Sequence, residues 1–330
     1  MRAFDQIYRG KQVLVTGGAG FIGSNLSRTL AELGANVTAV DSLIPDYGGN
    51  RFNLEGYQGR ITLNIADVRD PFSMNYLVQG KDYLFNLAGQ ISHLDSMQNP
   101  YIDLDVNVRA QLSILEACRL HNPAIRIVFA STRQLYGRPI RLPVAEDHPI
   151  NPVDVNGINK AAAEHYNLLY HRTYGIPVTV LRLTNVYGPR MRVKDARQTF
   201  VGWWLRQVVE GQVLRIFGDG QQLRDLNYID DVSHAMLLAG TRPEANGKVY
   251  NLGSEPISLI DLARLLVDVA GKGACELAPF PPERKAIDIG SYYGDYGKVR
   301  AELDWQPRVS LRDGLASSVA YYREHLGKYL

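Results

Sequence analysis

Short apolar runs alternate with amphipathic stretches along the first 130 residues of the chain. The apolar runs are rich in β-branched and aromatic residues, which is typical of strands buried on both faces. These runs are QVLVTG (12–17), NVTAVD (36–41), RITLNIAD (60–67), YLFNLAG (83–89) and RIVFAST (126–132). Between them, the stretches 21–34 and 106–120 place apolar residues at helical spacing. The alternation predicts an α/β, Rossmann-type fold, a doubly wound parallel sheet with helices on both faces.

The pattern changes in the second half of the chain. PVTVLRL (177–183) and KVYNLG (248–253) are typical of further strands of the same sheet, whereas most of the remaining sequence there lacks the alternation and carries many Pro and Gly residues. We therefore expect residues 1–189, with the later strand near 248–253, to form the sheet domain. Residues 190–330 are expected to form mainly a smaller, C-terminal substrate-binding lobe over the carboxyl ends of the strands, where such sheets bind ligands.

Composition and charge narrow the class of protein. An apolar content of 45% and a charged content of 21% are ordinary for a soluble globular chain. The net charge is +2 with scattered Lys and Arg, so neither nucleic acid nor a membrane is expected as a partner. Cys118 and Cys275 stand alone, without a C-x-x-C or H-E-x-x-H pattern, so we expect no disulfide framework and no metal site. The lack of a signal-peptide or membrane-length apolar run favours a cytoplasmic location.

A glycine-rich turn joins the first predicted strand to the first predicted helix. It contains Gly18-x-Gly20-x-x-Gly23, which overlaps a second pattern that begins at Gly17. Glycines there permit a tight turn and let the backbone approach a pyrophosphate at the helix N-terminus. Asp41 ends the second strand, where its carboxylate can bind the adenosine ribose hydroxyls and would repel a 2′-phosphate. The sequence therefore predicts a dinucleotide site that prefers NAD to NADP.

With these motifs, the chain resembles the extended short-chain dehydrogenase/reductases, and among them the NAD-dependent epimerase/dehydratase family that acts on nucleotide sugars. The resemblance runs over nearly the whole chain. The segments that carry it are TGGAGFIGS (16–24), AD (66–67), NLAG (86–89), ASTRQLYG (130–137), INK (158–160), LRLTNVYGPR (181–190), FGDGQQLRDLNYIDDV (217–232) and LDWQP (303–307). In this family the helices that match 104–121 and 156–173 form a dimer contact, and both have additional apolar stripes here, so we expect a homodimer.

The glycine loop and the resemblance together give two sets of binding residues. Those predicted to bind NAD are Gly17, Gly20, Phe21, Ile22, Gly23, Asp41, Asp67, Val68, Leu87, Ala88, Gly89 and Lys160. Those predicted to bind the nucleotide sugar are Thr132, Asn185, Arg192, Arg224, Lys285, Asp288 and Tyr292. Arg192 is included because it lies in a basic loop, PRMRVKDARQ (189–198), soon after Asn185. Arg284 could equally take the cationic role given to Lys285.

One position departs from the family pattern. The family's general base is usually the tyrosine of Tyr-x-x-x-Lys, whose phenol pKa is lowered by the lysine on the same helix face. This chain has Asn156 at that position and keeps the lysine as Lys160. An asparagine does not titrate near neutral pH and cannot take a proton from a sugar hydroxyl. Some dehydratases of the family have methionine there, so the missing tyrosine does not imply an inactive protein.

Four residues are candidates for the catalytic machinery. Thr132 is expected to contact the reacting hydroxyl, although a threonine has little basicity. Lys160 could lose its proton near neutrality if it is desolvated beside NAD. His93 lies in the loop after the fourth strand, and histidine is a residue type that can act as a general base. A water or a substrate group, oriented by Asn156, is predicted to complete a proton path from the sugar hydroxyl to Lys160.

The function predicted from these features is an NAD-dependent enzyme that transiently oxidises a nucleotide sugar, with a 4-epimerase-like reaction as the simplest outcome. A 4,6-dehydratase or a decarboxylase is the alternative within the family. The usual dehydratase carries an Asp-Glu pair directly after the threonine, where this chain has Arg133 and Gln134. A third possibility is a non-catalytic protein that binds NAD and a nucleotide sugar.

Overall fold

The computed structural model describes residues 2–45 and 47–330. Its strands are β1 (Gln12–Thr16), β2 (Asn36–Asp41), β3 (Ile61–Ile65), β4 (Tyr83–Asn86), β5 (Arg126–Thr132), β6 (Val178–Leu183), β7 (Asn185–Tyr187), β8 (Val213–Phe217), β9 (Leu223–Arg224), β10 (Leu226–Tyr228), β11 (Val249–Asn251), β12 (Ile257–Ser258) and β13 (Ala274–Ala278). Its α-helices are α1 (Arg2–Tyr8), α2 (Phe21–Glu32), α3 (Pro71–Leu77), α4 (His93–Gln98), α5 (Pro100–Leu104), α6 (Ala110–His121), α7 (Val155–Tyr174), α8 (Phe200–Glu210), α9 (Ile229–Thr241), α10 (Leu259–Ala270), α11 (Pro282–Ala286), α12 (Gly297–Leu303) and α13 (Leu311–His325). Short 3₁₀ turns lie at Arg51–Leu54, Arg133–Tyr136, Pro243–Ala245 and Leu326–Lys328, and a π-helical turn lies at Asp105–Arg109.

Seven strands form the central sheet in the order β11-β6-β5-β4-β1-β2-β3, and every neighbouring pair is parallel. This confirms the predicted Rossmann-type sheet, with the strand near 248–253 at its edge as β11. Leu14, Phe85 and Phe129 are completely buried in it, which explains why its strands are almost continuously apolar. The strand order reverses between β1 and β4, and this switch point opens a crevice at the carboxyl ends of the strands.

Helices cover both faces of the sheet. On one face, Leu26 and Leu30 of α2 pack in the same core as Met236 of α9. On the other face, Met74 of α3 and Ile114 of α6 share a core with α7. Each of these helices buries an apolar stripe against the strands, as the helical spacing predicts.

A second hydrophobic core forms the smaller lobe. It is built by α8, α10 and α13, with the parallel pair β8–β13 beside them, and Trp204 and Leu266 are among its buried residues. The lobes are interleaved in sequence, because α9 and Trp305 pack against the large sheet although both follow residue 190. No helix within residues 2–45 and 47–330 is long and apolar enough to cross a membrane.

Helix α7 carries Asn156 and Lys160 and has a capping residue at each end. Asp154 is its N-cap, since a side-chain oxygen accepts a hydrogen bond of 2.6 Å from the backbone N–H of Gly157. Gly175 ends the helix in the left-handed conformation, with φ of 73°. The helix therefore starts directly beside the crevice, and its first two turns face it.

Candidate active site

A cleft runs along the glycine loop at the end of β1. It is lined by eleven of the residues predicted to bind NAD, which are Gly17, Gly20, Phe21, Ile22, Gly23, Asp41, Asp67, Val68, Leu87, Ala88 and Gly89. The loop leaves no space for larger residues: a Cβ atom on Gly23 would lie 2.1 Å from the carbonyl oxygen of Gly17. Gly17 itself has φ of +67°, which favours glycine. A bare backbone at the N-terminus of α2 fits a dinucleotide pyrophosphate.

Acidic residues at the ends of β2 and β3 line the same cleft. The carboxylate of Asp41 accepts hydrogen bonds from the backbone N–H groups of Ala19 (3.0 Å) and Leu43 (2.9 Å). Burial raises the pKa of Asp41, and these hydrogen bonds partly offset that rise. Asp67 instead pairs with the Arg69 side chain at 3.0 Å, which lowers the pKa of Asp67. Asp41 is thus held in place by its own loop, with its carboxylate at the cleft.

A larger pocket of about 410 Å³ opens directly off this cleft. The two share seven lining residues, which are Phe21, Ile22, Leu87, Gly89, Ile91, Gln198 and Thr199. The larger pocket also contains seven of the predicted catalytic and substrate residues, which are His93, Thr132, Asn156, Lys160, Asn185, Arg224 and Asp288. A ligand in this pocket would therefore lie beside one in the cleft.

Lys160 lies where the two spaces meet. Its Nζ donates a hydrogen bond of 2.7 Å to the carbonyl oxygen of Ala130. The same Nζ is close to Gly89, since a Cβ atom built on that glycine would lie 3.7 Å from it. Burial lowers the pKa of Lys160 to about 8, against the opposing effect of Asp103 and Glu164. The lysine is therefore a desolvated cation that can lose its proton in a mildly basic solution.

Asn156 is held by hydrogen bonds to the loop after β4 and to α5. Its amide nitrogen donates to the carbonyl oxygen of Gln90 (2.8 Å) and to Oδ2 of Asp103 (3.0 Å), and the side chain is buried. The other oxygen of Asp103 accepts hydrogen bonds from Asn107 and Asn159. Asn156 thus lines the pocket, while its amide nitrogen is engaged by a buried cluster with Gln90 and Asp103.

His93 lies opposite the N-terminus of α7. Its Nδ1 is 2.9 Å from Oδ2 of Asp154, and about a third of its side chain is exposed. Asp154 is completely buried and also accepts a hydrogen bond of 2.8 Å from Nε2 of Gln134. Sequence reasoning missed Asp154 and Gln134, although a capping pattern before α7 could have identified the aspartate.

Thr132 lies at the end of β5 and lines the pocket. Its Oγ1 accepts a hydrogen bond of 3.2 Å from the backbone N–H of Gln134. The hydroxyl hydrogen remains available as a donor, so Thr132 can still bind a substrate oxygen.

Two arginines give one end of the pocket a positive charge. Arg224 is buried and donates to the carbonyl oxygens of Leu223 (2.8 Å) and Gly290 (2.5 Å). Burial and the nearby Arg133 lower the pKa of Arg224 to about 10. Arg133 bonds the side chain of Asn185 at 3.3 Å, while its Nη1 is buried without a partner among the described residues. Sequence reasoning did not assign Arg133 to the substrate, although it directly follows Thr132.

Three predicted substrate residues lie away from the pocket. Arg192 lines the dinucleotide cleft instead. Its guanidinium is held there by a bidentate ion pair with Asp195, with distances of 2.6 and 2.8 Å. Lys285 is exposed on α11, and its neighbour Arg284 is the residue that lines the pocket. Tyr292 is completely buried, with the guanidinium of Arg133 above its ring at 5.0 Å.

The fold and the two joined spaces define a Rossmann-type dinucleotide-binding protein with a second ligand pocket beside the dinucleotide. The model of the NAD dependent epimerase/dehydratase family matches residues 13–253, and the chain belongs to that family, whose members are NAD-dependent enzymes. This confirms the family and the cofactor predicted from the glycine loop.

Several known proteins are similar to this chain over nearly its whole length. A putative UDP-glucose 4-epimerase of Methanocaldococcus jannaschii is 33% identical and covers 95% of this chain and 99% of its own. A dTDP-glucose 4,6-dehydratase of Streptomyces griseus is also 33% identical, over 95% of this chain and 94% of its own. The structure of an epimerase from Methanothermobacter thermautotrophicus matches with a TM-score of 0.92 at 29% identity, over 98% of this chain and 96% of that one. Because the chain is equally identical to an epimerase and a dehydratase, sequence identity does not distinguish these two reactions, and the residues of the site have to do so.

Proposed function

We propose that this protein is a nucleotide-sugar epimerase that oxidises its substrate transiently, most simply at C4 of the sugar. NAD, held along the glycine loop and Asp41, supplies the hydride acceptor when it is bound. The chain's own residues bind the sugar nucleotide, place one hydroxyl beside Thr132 and Lys160, and take up its proton. An epimer would result if the ketone took the hydride back on its opposite face.

One observation carries this proposal: the dinucleotide cleft and the larger pocket are continuous. Gly89 lines both spaces, and Lys160 lies against it. A hydride can pass only between groups in contact, so a redox site needs its two ligands in one connected space. A protein that bound the two ligands independently would not need this junction or a desolvated lysine at it.

The charge distribution of the larger pocket supports a sugar attached to a diphosphate. Thr132 and Lys160 line the pocket, and Arg133 and Arg224, which lie close enough to repel each other, give part of it a positive charge. Two neighbouring guanidinium groups carry more positive charge than the one carboxylate in ion-pair range of Arg224 can offset, which favours a bound anion. Among the described residues, the nearest carboxylate to Arg224 is that of Asp288, at 3.8 Å. A diphosphate fits this end of the pocket by charge.

Epimerisation is favoured over dehydration by the residues that follow Thr132. Elimination of water needs an additional acid and base beside the sugar. The 3₁₀ turn that begins with Arg133 and Gln134 presents a guanidinium and an amide there, and Gln134 already binds Asp154. Neither group can exchange a proton near neutral pH.

The direct test is turnover of a panel of nucleotide sugars by the purified protein with added NAD. We expect the 4-epimer to form, with label from solvent absent at C4, because the hydride returns from the cofactor. A 4-keto-6-deoxy product would show a dehydratase, and loss of carbon dioxide from a sugar acid would show a decarboxylase. Binding of NAD and nucleotide sugars with no product from any of them would support a non-catalytic protein.

Replacing Asp41 with alanine is expected to weaken NAD binding by about tenfold and to reduce the ratio by which the protein prefers NAD to NADP. The carboxylate is the negatively charged group at the ribose end of the cleft, so its removal takes away both an acceptor and the repulsion of a 2′-phosphate. Titration calorimetry with both dinucleotides measures the change. Asp219→Ala, at an exposed turn, serves as the control. An unaltered protein that binds NADP better than NAD would contradict the assignment.

Replacing Arg224 with alanine is expected to raise the dissociation constant of a nucleoside diphosphate by about 10- to 100-fold, the value of charge-assisted hydrogen bonds. NAD affinity should stay the same, because Arg224 lines the larger pocket only. Arg300→Ala, exposed on α12, is the matched control. Arg224 also binds two backbone carbonyl groups, so the melting temperature must be measured alongside. Equal affinity in both proteins would remove the basis for a diphosphate.

We also predict a homodimer formed through α6 and α7. Ile158 and Leu169 are exposed on one face of α7, and Leu120 is exposed on α6. Exposed apolar residues in a contiguous patch are typical of a protein interface. Analytical ultracentrifugation at micromolar concentration should give the mass of two chains. Ile158→Asp should shift the mass to one chain, whereas Leu277→Asp, at an exposed apolar position of β13, should not.

A further inference from the structure

We propose that His93 and Asp154 together replace the missing tyrosine, with His93 accepting the proton of the sugar hydroxyl that is oxidised and Asp154 positioning its ring. The inference rests on the proposed function, because it needs a sugar hydroxyl in the larger pocket. It assigns His93 as a catalytic residue and Asp154 as a positioning residue.

The position of His93 is the first support. The residue opens α4, directly after the loop that follows β4, and its side chain lines the pocket together with Thr132 and Lys160. Its Nδ1 is buried and lies 2.9 Å from Oδ2 of Asp154, which is ion-pair distance, although the angle is not that of a hydrogen bond. In the described part of the chain, Nε2 forms no hydrogen bond, and the ring is partly exposed. The ring nitrogen opposite the aspartate is therefore the one available to a substrate.

Asp154 is fixed so that it can hold this ring in one orientation. Its Oδ1 accepts from the backbone N–H of Gly157 and its Oδ2 from Nε2 of Gln134. Burial opposes the charged form of Asp154, yet the interactions with His93, Gly157 and Gln134 outweigh burial and lower its pKa. A small rotation of the His93 ring would let this charged carboxylate accept the Nδ1–H, and that tautomer leaves the lone pair of Nε2 free for a substrate proton.

The chemistry balances with these groups. As the O–H bond of the substrate breaks, its proton moves to Nε2 of His93, and the electron pair of that bond forms the carbonyl double bond. The carbon loses its hydrogen with both electrons as a hydride, for which bound NAD is the acceptor. The reverse transfers restore the hydroxyl, so His93 is neutral again at the end of a cycle.

The other pocket residues are less suited to take the proton. Asn156 does not titrate, and its amide nitrogen is engaged by Gln90 and Asp103. Thr132 is a weak base whose oxygen already accepts a backbone hydrogen bond. Lys160 is a cation below its pKa of about 8, and it is then able to stabilise a developing alkoxide but not to accept a proton.

His93→Ala is the first variant that tests the proposal. We expect kcat to fall by about 10²- to 10⁴-fold, the usual value of a positioned general base. The dissociation constants for NAD and the nucleotide sugar should stay close to those of the parent. Added imidazole, which fits the space that the alanine leaves, should restore part of the turnover. His121→Asn, exposed at the end of α6, should match the parent throughout.

Asp154→Asn is the second variant. Asparagine caps helices as well as aspartate does, so the start of α7 is retained while the charge beside His93 is removed. We expect kcat to fall by about 10- to 100-fold through misorientation of the ring, with an unchanged melting temperature.

Three results would overturn the proposal. These are a His93→Ala protein with the parent kcat, a loss of kcat that imidazole leaves unchanged, and an Asp154→Asn protein with the parent kcat and fold. Failure of the proposed function is separate from these, because the unaltered protein would then form a product other than an epimer or turn over no nucleotide sugar at all.

Discussion

Replacing Lys160 with methionine is expected to lower kcat by about 10²- to 10³-fold, as removal of a preorganised electrostatic group does. Methionine matches the lysine in length and tolerates burial, so the change removes the charge with little change in packing. The hydrogen bond to the Ala130 carbonyl is lost as well. Initial rates with the true substrate and NAD measure the effect, and Lys272→Met, exposed after α10, is the control. Full activity in the Lys160 variant would exclude both a charge role and a proton path through this residue.

The pH dependence tells these two roles apart. Burial lowers the pKa of Lys160 to about 8, so the residue is charged below that pH and neutral above it. If the charge stabilises the alkoxide, kcat/KM falls as pH rises through about 8, or through a lower value once the positively charged nicotinamide is bound. If neutral Lys160 accepts the proton, kcat/KM rises through the same range. We expect the fall, and Lys160→Arg should move it out of the measurable range because arginine stays charged.

Replacing Asn156 with tyrosine restores the family motif, but it is expected to lower the free energy of unfolding by about 1–3 kcal/mol without raising turnover. The asparagine is buried and supplies the hydrogen bond to Oδ2 of Asp103, while Asn107 and Asn159 bind the other oxygen. A phenol at this position removes that donor and adds bulk beside Gln90. Chemical denaturation and initial rates of the same protein measure both effects.

Asn156→Ala separates the lost hydrogen bond from the added bulk. It should lose a similar amount of stability and show moderately lower turnover, because Asp103 loses a donor in both variants while the pocket stays open in this one. Leu277→Ala, at an exposed apolar position of β13, serves as the control for a truncation that leaves the Asp103 cluster intact. A tyrosine variant with turnover well above that of the parent would contradict this account, because it would mean that the site still works best with a phenol.

The sequence alone determined the sheet, the glycine loop and the family. Strands buried on both faces have to be continuously apolar, and a pyrophosphate turn has to be glycine-rich, so both features can be identified without coordinates. The positions of Gly23 and Asp41 follow from spacing along the chain. Thr132 and Lys160 could be predicted to share a pocket because one ends a strand and the other begins a helix at the same edge of the sheet.

Other parts of the site depended on contacts between distant segments. Arg192 and Arg284 could not be placed by sequence, because a basic side chain in a loop reaches whichever carboxylate or ring lies nearby. For Arg192 that partner is Asp195, and the arginine ends in the dinucleotide cleft. Arg133 could not be recognised either, since its role depends on its proximity to Arg224 and on an Nη1 atom that no described residue binds.

For Asn156, the sequence determined which residue is present, and the tertiary structure determined which groups it contacts. The sequence determined that no phenol stands four residues before Lys160, and hence that the usual base is absent. Only the packing of α5 against α7 turned the amide of Asn156 to Asp103, 53 residues away in the chain. The packing of α4 against the start of α7 likewise brought His93 to 2.9 Å from Asp154. Hydrogen bonds between such distant residues follow from how helices dock, which no local pattern encodes.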